Sequence, residues 1–356
     1  MGLKEAVKDR ILILDGALGT MIQKYGLSET DFRGERFAHL PGQQRGNNDL
    51  LVLSRPEVIR EIHTRYLEAG ADIIETCTFN SQSISLADYH CESLVKEINF
   101  AAAQLARTCA DNYATPEKPR FVAGSVGPTN KTCSLSPDVN DPALRTLHFD
   151  ELAIAYQEQI EALLEGGVDA ILIETVFDTL NAKAAVVAAQ AAMSTKGREV
   201  PIMLSVTVAD KGGRTLSGQT LEAFLASFST MPIFSVGLNC SFGAKDMKPF
   251  LENLAARAPY YISVYPNAGL PNSLGEYDET PEHMASEVAE FLDENLINIV
   301  GGCCGTTDKF IAEYPKLLEG RTPHRPVAVP SCLWLSGLES CEIRPARNFT
   351  NIGERC

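Results

Sequence analysis

Short runs of apolar residues alternate with longer amphipathic segments along most of the chain. The apolar runs are rich in β-branched residues and are mostly continuous, without the polar–apolar alternation of a half-exposed strand. Strands of a parallel sheet that is covered by helices have this pattern. We predict eight such strands, at residues 11–14, 72–78, 121–126, 170–174, 202–208, 234–239, 261–265 and 297–300.

Helix start and stop signals fill the segments between these strands. The SRPE sequence at residues 54–57 has the spacing of a capping box with proline at the first helical position. An apolar stripe follows it, and Gly70 predicts the end of this helix. Pro281, preceded by a threonine, predicts the start of another helix that includes residues 284–292.

About eight strand–helix units in about 320 residues match a (β/α)8 barrel with some long loops. A doubly wound dinucleotide-binding sheet would need a phosphate-binding glycine pattern after its first strand, and the DGALGT of residues 15–20 lacks that spacing. We therefore predict an α/β fold, a (β/α)8 TIM barrel over residues 1–322, with a C-terminal linker tail over residues 323–356. Residues 320–330 are proline-rich and predict a semi-rigid connector, and residues 331–356 are too few to fold alone.

Composition and charge indicate which class of partner the chain binds and in which compartment it works. A formal net charge of -15 and the lack of a basic cluster argue against a nucleic-acid partner, so a small-molecule substrate is expected. No apolar run has the roughly 20 residues that span a membrane, and residues 1–10 lack the pattern of a secretory signal. Ten cysteines in such a chain indicate free thiols or metal ligands in a reducing compartment, and we expect a cytoplasmic protein.

In a TIM barrel the reacting groups lie where the strands end, at the C-terminal rim. The predicted strand ends therefore provide the candidate site residues, which include acid, amide and thiol groups. They are Asp15, Thr78, Gly127, Glu174, Thr207, Cys240, Asn267, Cys303 and Cys304.

Three of these candidates are thiols, which are preferred ligands of zinc. Cys240, Cys303 and Cys304 would supply three ligands and leave a fourth position open, provided that the strand between them lets the two loops converge. Alternatively, Cys303 and Cys304 are small buried hydrophobic residues or a vicinal disulfide. The other cysteines show no ligand spacing and are expected to be packing or surface residues: Cys77, Cys91, Cys109, Cys133, Cys332, Cys341 and Cys356.

A zinc site with three thiolates carries net negative charge, and this favours a particular chemistry. It activates water poorly, but it holds a fourth thiol that is deprotonated at neutral pH and remains nucleophilic. Hydrolytic zinc sites use mainly His and carboxylate ligands, and the six histidines contain no His-x-x-x-His pair. The pattern therefore favours a substrate that attacks through sulfur.

Acids and a glycine turn suggest the rest of that substrate. Asp15 and Glu174 both end apolar strands and would hold a cationic amine, although a turn-forming Asp and a helix-capping Glu are the alternatives. The turn that contains Gly16, Ala17 and Thr20 presents backbone N–H groups that suit a carboxylate. Together these groups describe a site for an amino acid with a side-chain thiol.

Five motifs resemble, in chain order, those of the homocysteine S-methyltransferase family: DGALGT at 15–20, GADIIET at 70–76, IETVFD at 173–178, GLNC at 237–240 and GGCCG at 301–305. The resemblance covers about residues 10–320. It implies zinc bound by Cys240, Cys303 and Cys304, with the homocysteine amine against Asp15 and Glu174.

Asn267 is similar to a family position near the metal. Its amide oxygen would fill the fourth zinc position before substrate arrives, and a simple turn is the alternative. Cys77 departs from the pattern, in which asparagine follows Glu-Thr, so a polar role for this position is in doubt.

Other motifs look like the homocysteine-binding domains of cobalamin-dependent methionine synthases: DFRGERF at 31–37, GNNDL at 46–50, GPTN at 127–130 and SPDVNDP at 136–142. The FTNIGERC of residues 349–356 resembles the first strand of their folate-binding domain. This narrower resemblance implies methylcobalamin as methyl donor, with folate- and cobalamin-binding modules downstream or on separate chains.

Three functional hypotheses follow. The first is a zinc-dependent module that activates homocysteine as a zinc thiolate and methylates it to methionine, with methylcobalamin as donor. The second is a standalone homocysteine S-methyltransferase that uses S-methylmethionine or a similar small donor. The third is a non-catalytic module that binds homocysteine and zinc.

Overall fold

A parallel barrel forms the body of the molecule. The computed structural model describes residues 1–270, 277–329, 331–351 and 353. The barrel strands are β1 Leu12–Ile13, β2 Ile73–Glu75, β3 Phe121–Val126, β4 Ala170–Val176, β5 Ile202–Val206, β6 Ser235–Asn239, β7 Tyr261–Tyr265 and β8 Ile299–Val300. They pair in the order β1-β8-β7-β6-β5-β4-β3-β2, and a bridge from Leu14 to Ile73 brings the two outer strands together. The predicted (β/α)8 TIM barrel is confirmed.

Helices alternate with the strands and cover the outside of the barrel. They are α1 Leu3–Asp9, α2 Leu18–Gln23, α3 Glu29–Arg33, α4 Leu51–Ser54, α5 Pro56–Ala69, α6 Ser83–Leu86, α7 Val95–Tyr113, α8 Phe149–Gly166, α9 Thr179–Lys196, α10 Leu221–Phe228, α11 Ala244–Arg257, α12 Pro281–Asp293, α13 Asp308–Ile311 and α14 Tyr314–Leu317. Among the described residues, no helix combines the length and the apolar character needed to cross a bilayer.

The continuous apolar pattern of the strands has a direct cause in the packing. Side chains on one strand face, such as Leu12, Leu172 and Met203, fill the inside of the barrel. Side chains on the other face, such as Ile171 and Leu204, pack against the surrounding helices. Because both faces are buried, neither needs polar residues.

Several predicted element boundaries differ from the structure. β2 stops at Glu75, three residues before the predicted end, and β4 continues to Val176, two residues beyond Glu174. The predicted capping box at residues 54–57 is wrong. Ser54 is the last residue of α4, and its hydroxyl donates to the carbonyl of Leu50 instead of capping α5. The start of α5 at Pro56 and its end at Gly70, where φ is +113°, agree with the prediction.

The tail returns to the barrel after an extended connector. Leu333–Ser336 (β9) and Ser340–Ile343 (β10) form an antiparallel hairpin that packs on α10. In the hairpin turn, the Leu338 carbonyl accepts a hydrogen bond from the Thr220 amide. The hairpin therefore gains its burial from the barrel, as expected of a segment too short to fold alone. In the segment that resembles a folate-domain strand, positions 352 and 354–356 lie outside the described residues.

Candidate active site

A cavity of about 450 Å³ opens at the C-terminal mouth of the barrel. Its walls come from the last residues of β2, β3, β4 and β7 and from segments that follow β1, β2, β6, β7 and β8, and thiol and carboxyl groups both line it. Of the predicted site residues, it collects Gly16, Ala17, Thr20, Thr78, Glu174, Cys240, Cys303 and Cys304. Of the two predicted acids, Glu174 lines this cavity together with the thiols, whereas Asp15 is not among its lining residues and lies buried behind them, with one oxygen bonded to the Glu75 amide.

The three predicted thiols form a compact cluster. The sulfur atoms of Cys240, Cys303 and Cys304 all lie within 4.8 Å of one another, and the Cys240 and Cys304 sulfurs are 4.0 Å apart. All three are free thiols and are half-buried. The strand between the two loops does let them converge, because a Cβ on Gly237 would lie only 2.1 Å from the Ser263 carbonyl oxygen, so glycine allows β6 and β7 to approach closely.

The backbone around the thiols is specialised. Cys240 and Ser241 both have left-handed φ values, +62° and +65°, which non-glycine residues adopt rarely and mostly at functional sites. In the opposite loop, the Cys303 amide donates to the Pro266 carbonyl at 2.8 Å and the Ala268 amide donates to the Cys304 carbonyl at 2.9 Å. The thiols are thus held by the backbone of two loops.

Hydrogen bonds within the cluster move the pKa values of the thiols in opposite directions. Hydrogen bonds from Cys303 and Cys304 hold the pKa of the Cys240 thiol well below its usual range. The same sharing with Cys240, together with burial, raises the pKa of Cys303 well above its usual value. Thiols that share protons in this way are close enough to bind one metal ion together. Sulfur is a soft donor, which suits zinc.

Asn267 lies beside the thiol cluster, although outside the cavity lining. Its side chain hydrogen-bonds Cys240, and its buried amide oxygen has no hydrogen-bond partner in the part of the chain that the structure describes. An unpaired buried carbonyl oxygen next to three thiols fits a group that faces a cation.

The carboxyl groups form the second cluster. Asp15 is 1% exposed, and one of its oxygens accepts the amide of Glu75 at 3.0 Å while Oδ1 has no partner. Glu174 is 5% exposed and accepts the hydroxyl of Ser125. Neither acid pairs with a basic side chain in the described part of the chain, so the predicted amine-binding role fits better than a turn or helix cap.

Glu75, the last residue of β2, is a third acid that sequence reasoning did not assign. It lines the same cavity and interacts with Glu174. The sequence did not single it out, because the predicted strand at residues 72–78 placed Glu75 in its middle, whereas β2 ends at Glu75. Tyr265 was also missed; it lines the cavity, and its buried hydroxyl has no hydrogen-bond partner among the described residues.

Burial governs the protonation of the acids. Desolvation raises the pKa of Asp15 and of Glu75 well above their usual values, and it raises the pKa of Glu174 to about 7. Charge repulsion from Glu174 adds to the rise at both of the other acids. A cation in this cavity would lower these pKa values and take up the negative charge.

The glycine turn leads into α2 at the edge of the cavity. A Cβ on Gly16 would lie 2.9 Å from the Tyr66 ring, so only glycine fits. The first intrahelical bond is donated by Met21 to the Ala17 carbonyl, which leaves the preceding N–H groups without helical acceptors. The Thr20 hydroxyl accepts the amide of Gly305, so this side chain supports the thiol loop.

The remaining positions from the sequence analysis are the other cysteines and two residues at predicted strand ends. Cys77 lines the cavity, but its sulfur contacts the Asn48 carbonyl at 3.6 Å and an Asp49 oxygen at 3.8 Å, away from the thiol cluster. Cys91, Cys109 and Cys133 are buried. Cys332 and Cys341 are half-buried in the tail, and Cys356 lies outside the described residues. Gly127 and Thr207 are not among the residues described as lining the cavity.

Comparison with known proteins agrees with this geometry. A family model described as homocysteine S-methyltransferase matches residues 12–318. The homocysteine methyltransferase MmuM from Escherichia coli, in its metallated form, is 22% identical, with 86% of this chain and 96% of that chain covered and a TM-score of 0.66. Its oxidised form is 23% identical, with coverages of 86% and 95% and a TM-score of 0.66. These structural likenesses show the shared fold, whereas the family match spans nearly the whole barrel. The chain therefore belongs to the homocysteine S-methyltransferase family.

Proposed function

We propose that the chain binds zinc through Cys240, Cys303 and Cys304, binds homocysteine beside it, and methylates the homocysteine sulfur to give methionine. The observation that carries the proposal is a cluster of three sulfurs, mutually within 4.8 Å, in the same cavity as buried acids. Soft sulfur donors suit zinc, and three protein ligands leave one position for a fourth. When bound, the zinc supplies a positive centre that lowers the pKa of the substrate thiol.

The acids recognise the amine of homocysteine. Asp15 and Glu174 accept charge-assisted hydrogen bonds from the ammonium group, and the unpaired Oδ1 of Asp15 provides a free acceptor. Glu75 adds negative charge on the same wall. Because these acids are desolvated, an ammonium group gains more from them than it would at an exposed surface.

The carboxylate of homocysteine binds at the turn before α2. The backbone N–H groups around Gly16 and Thr20 would suit an anion, whereas the Ala17 N–H already donates to the Thr306 hydroxyl oxygen at 3.3 Å and would have to exchange that bond for one to the carboxylate. Asn267, whose amide oxygen has no hydrogen-bond partner among the described residues, would supply the fourth ligand to a bound zinc ion until the substrate sulfur takes that position. With the amine and carboxylate both held, the sulfur is directed to the thiol end of the cavity.

Methyl transfer then requires the homocysteine sulfur to be aligned with the methyl carbon of the donor. The thiol loses its proton on binding, and a lone pair of the sulfur forms the new bond to the methyl carbon. The electron pair of the bond that breaks remains on the donor. The chain contributes by orienting the sulfur and by limiting access of water to a half-enclosed cavity.

We further propose methylcobalamin as the donor, carried by another domain or chain. Residues 1–322 are the homocysteine-binding barrel, and residues 323–356 link it to folate- and cobalamin-binding modules. The free thiols of the described residues agree with a reducing compartment, and we propose a cytoplasmic location.

Incubation of the zinc-loaded chain with homocysteine and either methylcobalamin or S-methylmethionine tests the proposal. Methionine formed from methylcobalamin supports it, and turnover with S-methylmethionine alone favours a standalone enzyme. Binding of homocysteine with proton release but no transfer from either donor indicates a non-catalytic module. Cys303→Ser is the control for transfer that does not depend on the site.

A further inference from the structure

One buried amide connects the thiol cluster to the acid cluster. Asn239, the last residue of β6, is 1% exposed, and its side chain makes four hydrogen bonds. Its Oδ1 accepts the Thr175 amide at 3.1 Å and the Ser205 hydroxyl at 2.7 Å. Its Nδ2 donates to Thr175 Oγ1 at 2.9 Å and to the Cys303 sulfur at 3.8 Å. This is the full hydrogen-bonding capacity of an asparagine amide.

On the acid side, Asn239 holds an irregular backbone. Thr175 has a φ of +55°, and the pairing of β4 with β5 shifts register between Ile173 and Val176. A β-branched residue adopts this conformation only where neighbouring groups stabilise it. An irregularity of this kind redirects the adjacent side chain, which here is Glu174.

On the thiol side, Asn239 presents an N–H donor to a proposed zinc ligand. A hydrogen bond from an amide to sulfur strengthens when the sulfur is ionised. Groups that contact a metal ligand in this way fix its orientation and tune its affinity for the metal. The two acceptor bonds at Oδ1 fix which way the amide points, so Nδ2 has to face Cys303 and Thr175 Oγ1.

We propose that Asn239 is a positioning residue that couples the zinc site to the amine-binding acid Glu174. A cation bound by Cys303 would strengthen the bond from Nδ2 to its sulfur, and through the Asn239 bonds to Thr175 this would stabilise the direction of Glu174 that the structure shows. Amine recognition is therefore stronger in the zinc-loaded protein, and an amine ligand strengthens zinc binding by the same factor. This inference depends on the proposed zinc and homocysteine sites.

L-norvaline tests this coupling, because it has the amine and carboxylate of an α-amino acid but no sulfur. Because norvaline has no thiol, it removes the direct bond between the substrate sulfur and zinc from the measurement, and the Asn239 variants then separate coupling through this residue from any direct effect of the ion. We expect zinc to tighten norvaline binding to the wild-type chain by at least about fivefold, as measured by calorimetry of the metal-free and zinc-loaded forms.

Two variants remove the connection in different ways. Asn239→Ala removes all four hydrogen bonds, whereas the isosteric Asn239→Asp keeps the two acceptor bonds and removes both donors. In each, zinc is expected to leave norvaline affinity unchanged, and zinc affinity in a chelator competition falls about 10-fold or more. Asn239→Asp keeps the test decisive if Asn239→Ala does not fold.

Asn298→Ala is the matched control. Asn298 is also a fully buried asparagine, but it bonds the Ile262 amide and the His324 carbonyl, before β8 begins. Its removal should destabilise the fold while the effect of zinc on norvaline binding persists.

The outcomes separate the two proposals. A wild-type chain that binds neither zinc nor homocysteine contradicts the proposed function. A wild-type chain that binds both, but in which zinc leaves norvaline affinity unchanged, overturns the coupling alone. Coupling that survives in Asn239→Asp also overturns the role of Asn239.

Discussion

The two ends of the cavity are built in different ways. At the thiol end, Cys240, Cys303 and Cys304 lie on loops beyond the strands and remain half-buried. At the acid end, Asp15 and Glu174 are held on or directly beside strands and are almost fully buried. The loops leave the sulfurs half-exposed, as the proposed exchange of zinc and substrate requires, whereas the strands fix desolvated acids where we propose that the amine binds.

Removal of a thiol should have the largest effect of any change in the cavity. Zinc binding at structural sites is worth about 10–16 kcal/mol over four ligands, so loss of one ligand costs about 3 kcal/mol or more, which is about 100-fold in affinity. We expect Cys240→Ser, Cys303→Ser and Cys304→Ser each to lose zinc in a chelator competition, and to lose methyl transfer with it.

Cys109→Ser serves as the control for this prediction, because Cys109 is a buried thiol on α7. It should retain wild-type zinc content. Undiminished zinc in all three cavity variants would contradict the thiol site.

Neutralisation of an acid should have a smaller and more selective effect. Glu174→Gln and Asp15→Asn each remove a charge-assisted hydrogen bond worth about 1.5–3 kcal/mol, which is about 10- to 150-fold in the dissociation constant of homocysteine. Binding of 4-mercaptobutanoate, which lacks the amine, should change little. An equal loss for both ligands in calorimetry would show that the acids do not read the amine.

The acid end should also respond to pH in a defined direction. Burial raises the pKa of Glu174 to about 7, above its ordinary value of 4.5. Between these values the folded state binds more protons than the unfolded state, so this group makes the ligand-free protein less stable as pH rises from 4.5 to 7. Homocysteine affinity should show the opposite trend in this window, because the ammonium needs ionised Glu174.

Thermal unfolding and calorimetry over this pH range measure both trends. In Glu174→Gln both trends should weaken, and burial of Asp15 and Glu75, which also raises their pKa values, should keep the remainder. A homocysteine affinity that rises as pH falls would contradict the assignment of Glu174.

Cys77 should matter least, although it lines the same cavity. Its sulfur contacts the Asn48 carbonyl and an Asp49 oxygen rather than the other thiols. We expect Cys77→Ser to keep full zinc content and to change the free energy of unfolding by about 1 kcal/mol, measured by urea denaturation. Loss of zinc in this variant would show that Cys77, which follows β2, also contributes to metal binding.

The barrel could be predicted from the sequence because strands that are buried on both faces consist of continuous runs of apolar, β-branched residues. Strand ends were less accurate, since β2 ends at Glu75 even though a threonine-rich segment of high β-propensity follows it. Ser54 failed as a cap because a short helix, α4, ends there, and only tertiary structure reveals this.

The site was predicted where chemistry is visible in residue type and spacing. The thiol convergence follows from cysteines at two strand ends, and the two acids follow in the same way. Glu75 was missed because one acid in an apolar strand does not reveal which side it faces. The position of Asn239 between Thr175 and Cys303 depends on contacts between residues 64 positions apart, which no local pattern contains.

The most direct test of the central claim is X-ray absorption at the zinc edge of the loaded chain, before and after addition of homocysteine. We predict three sulfur ligands and one oxygen or nitrogen ligand in the free protein, and four sulfur ligands once homocysteine binds. Fewer than three sulfur ligands in the free protein, or an unchanged spectrum with saturating homocysteine, would contradict a zinc site that holds the sulfur of the substrate.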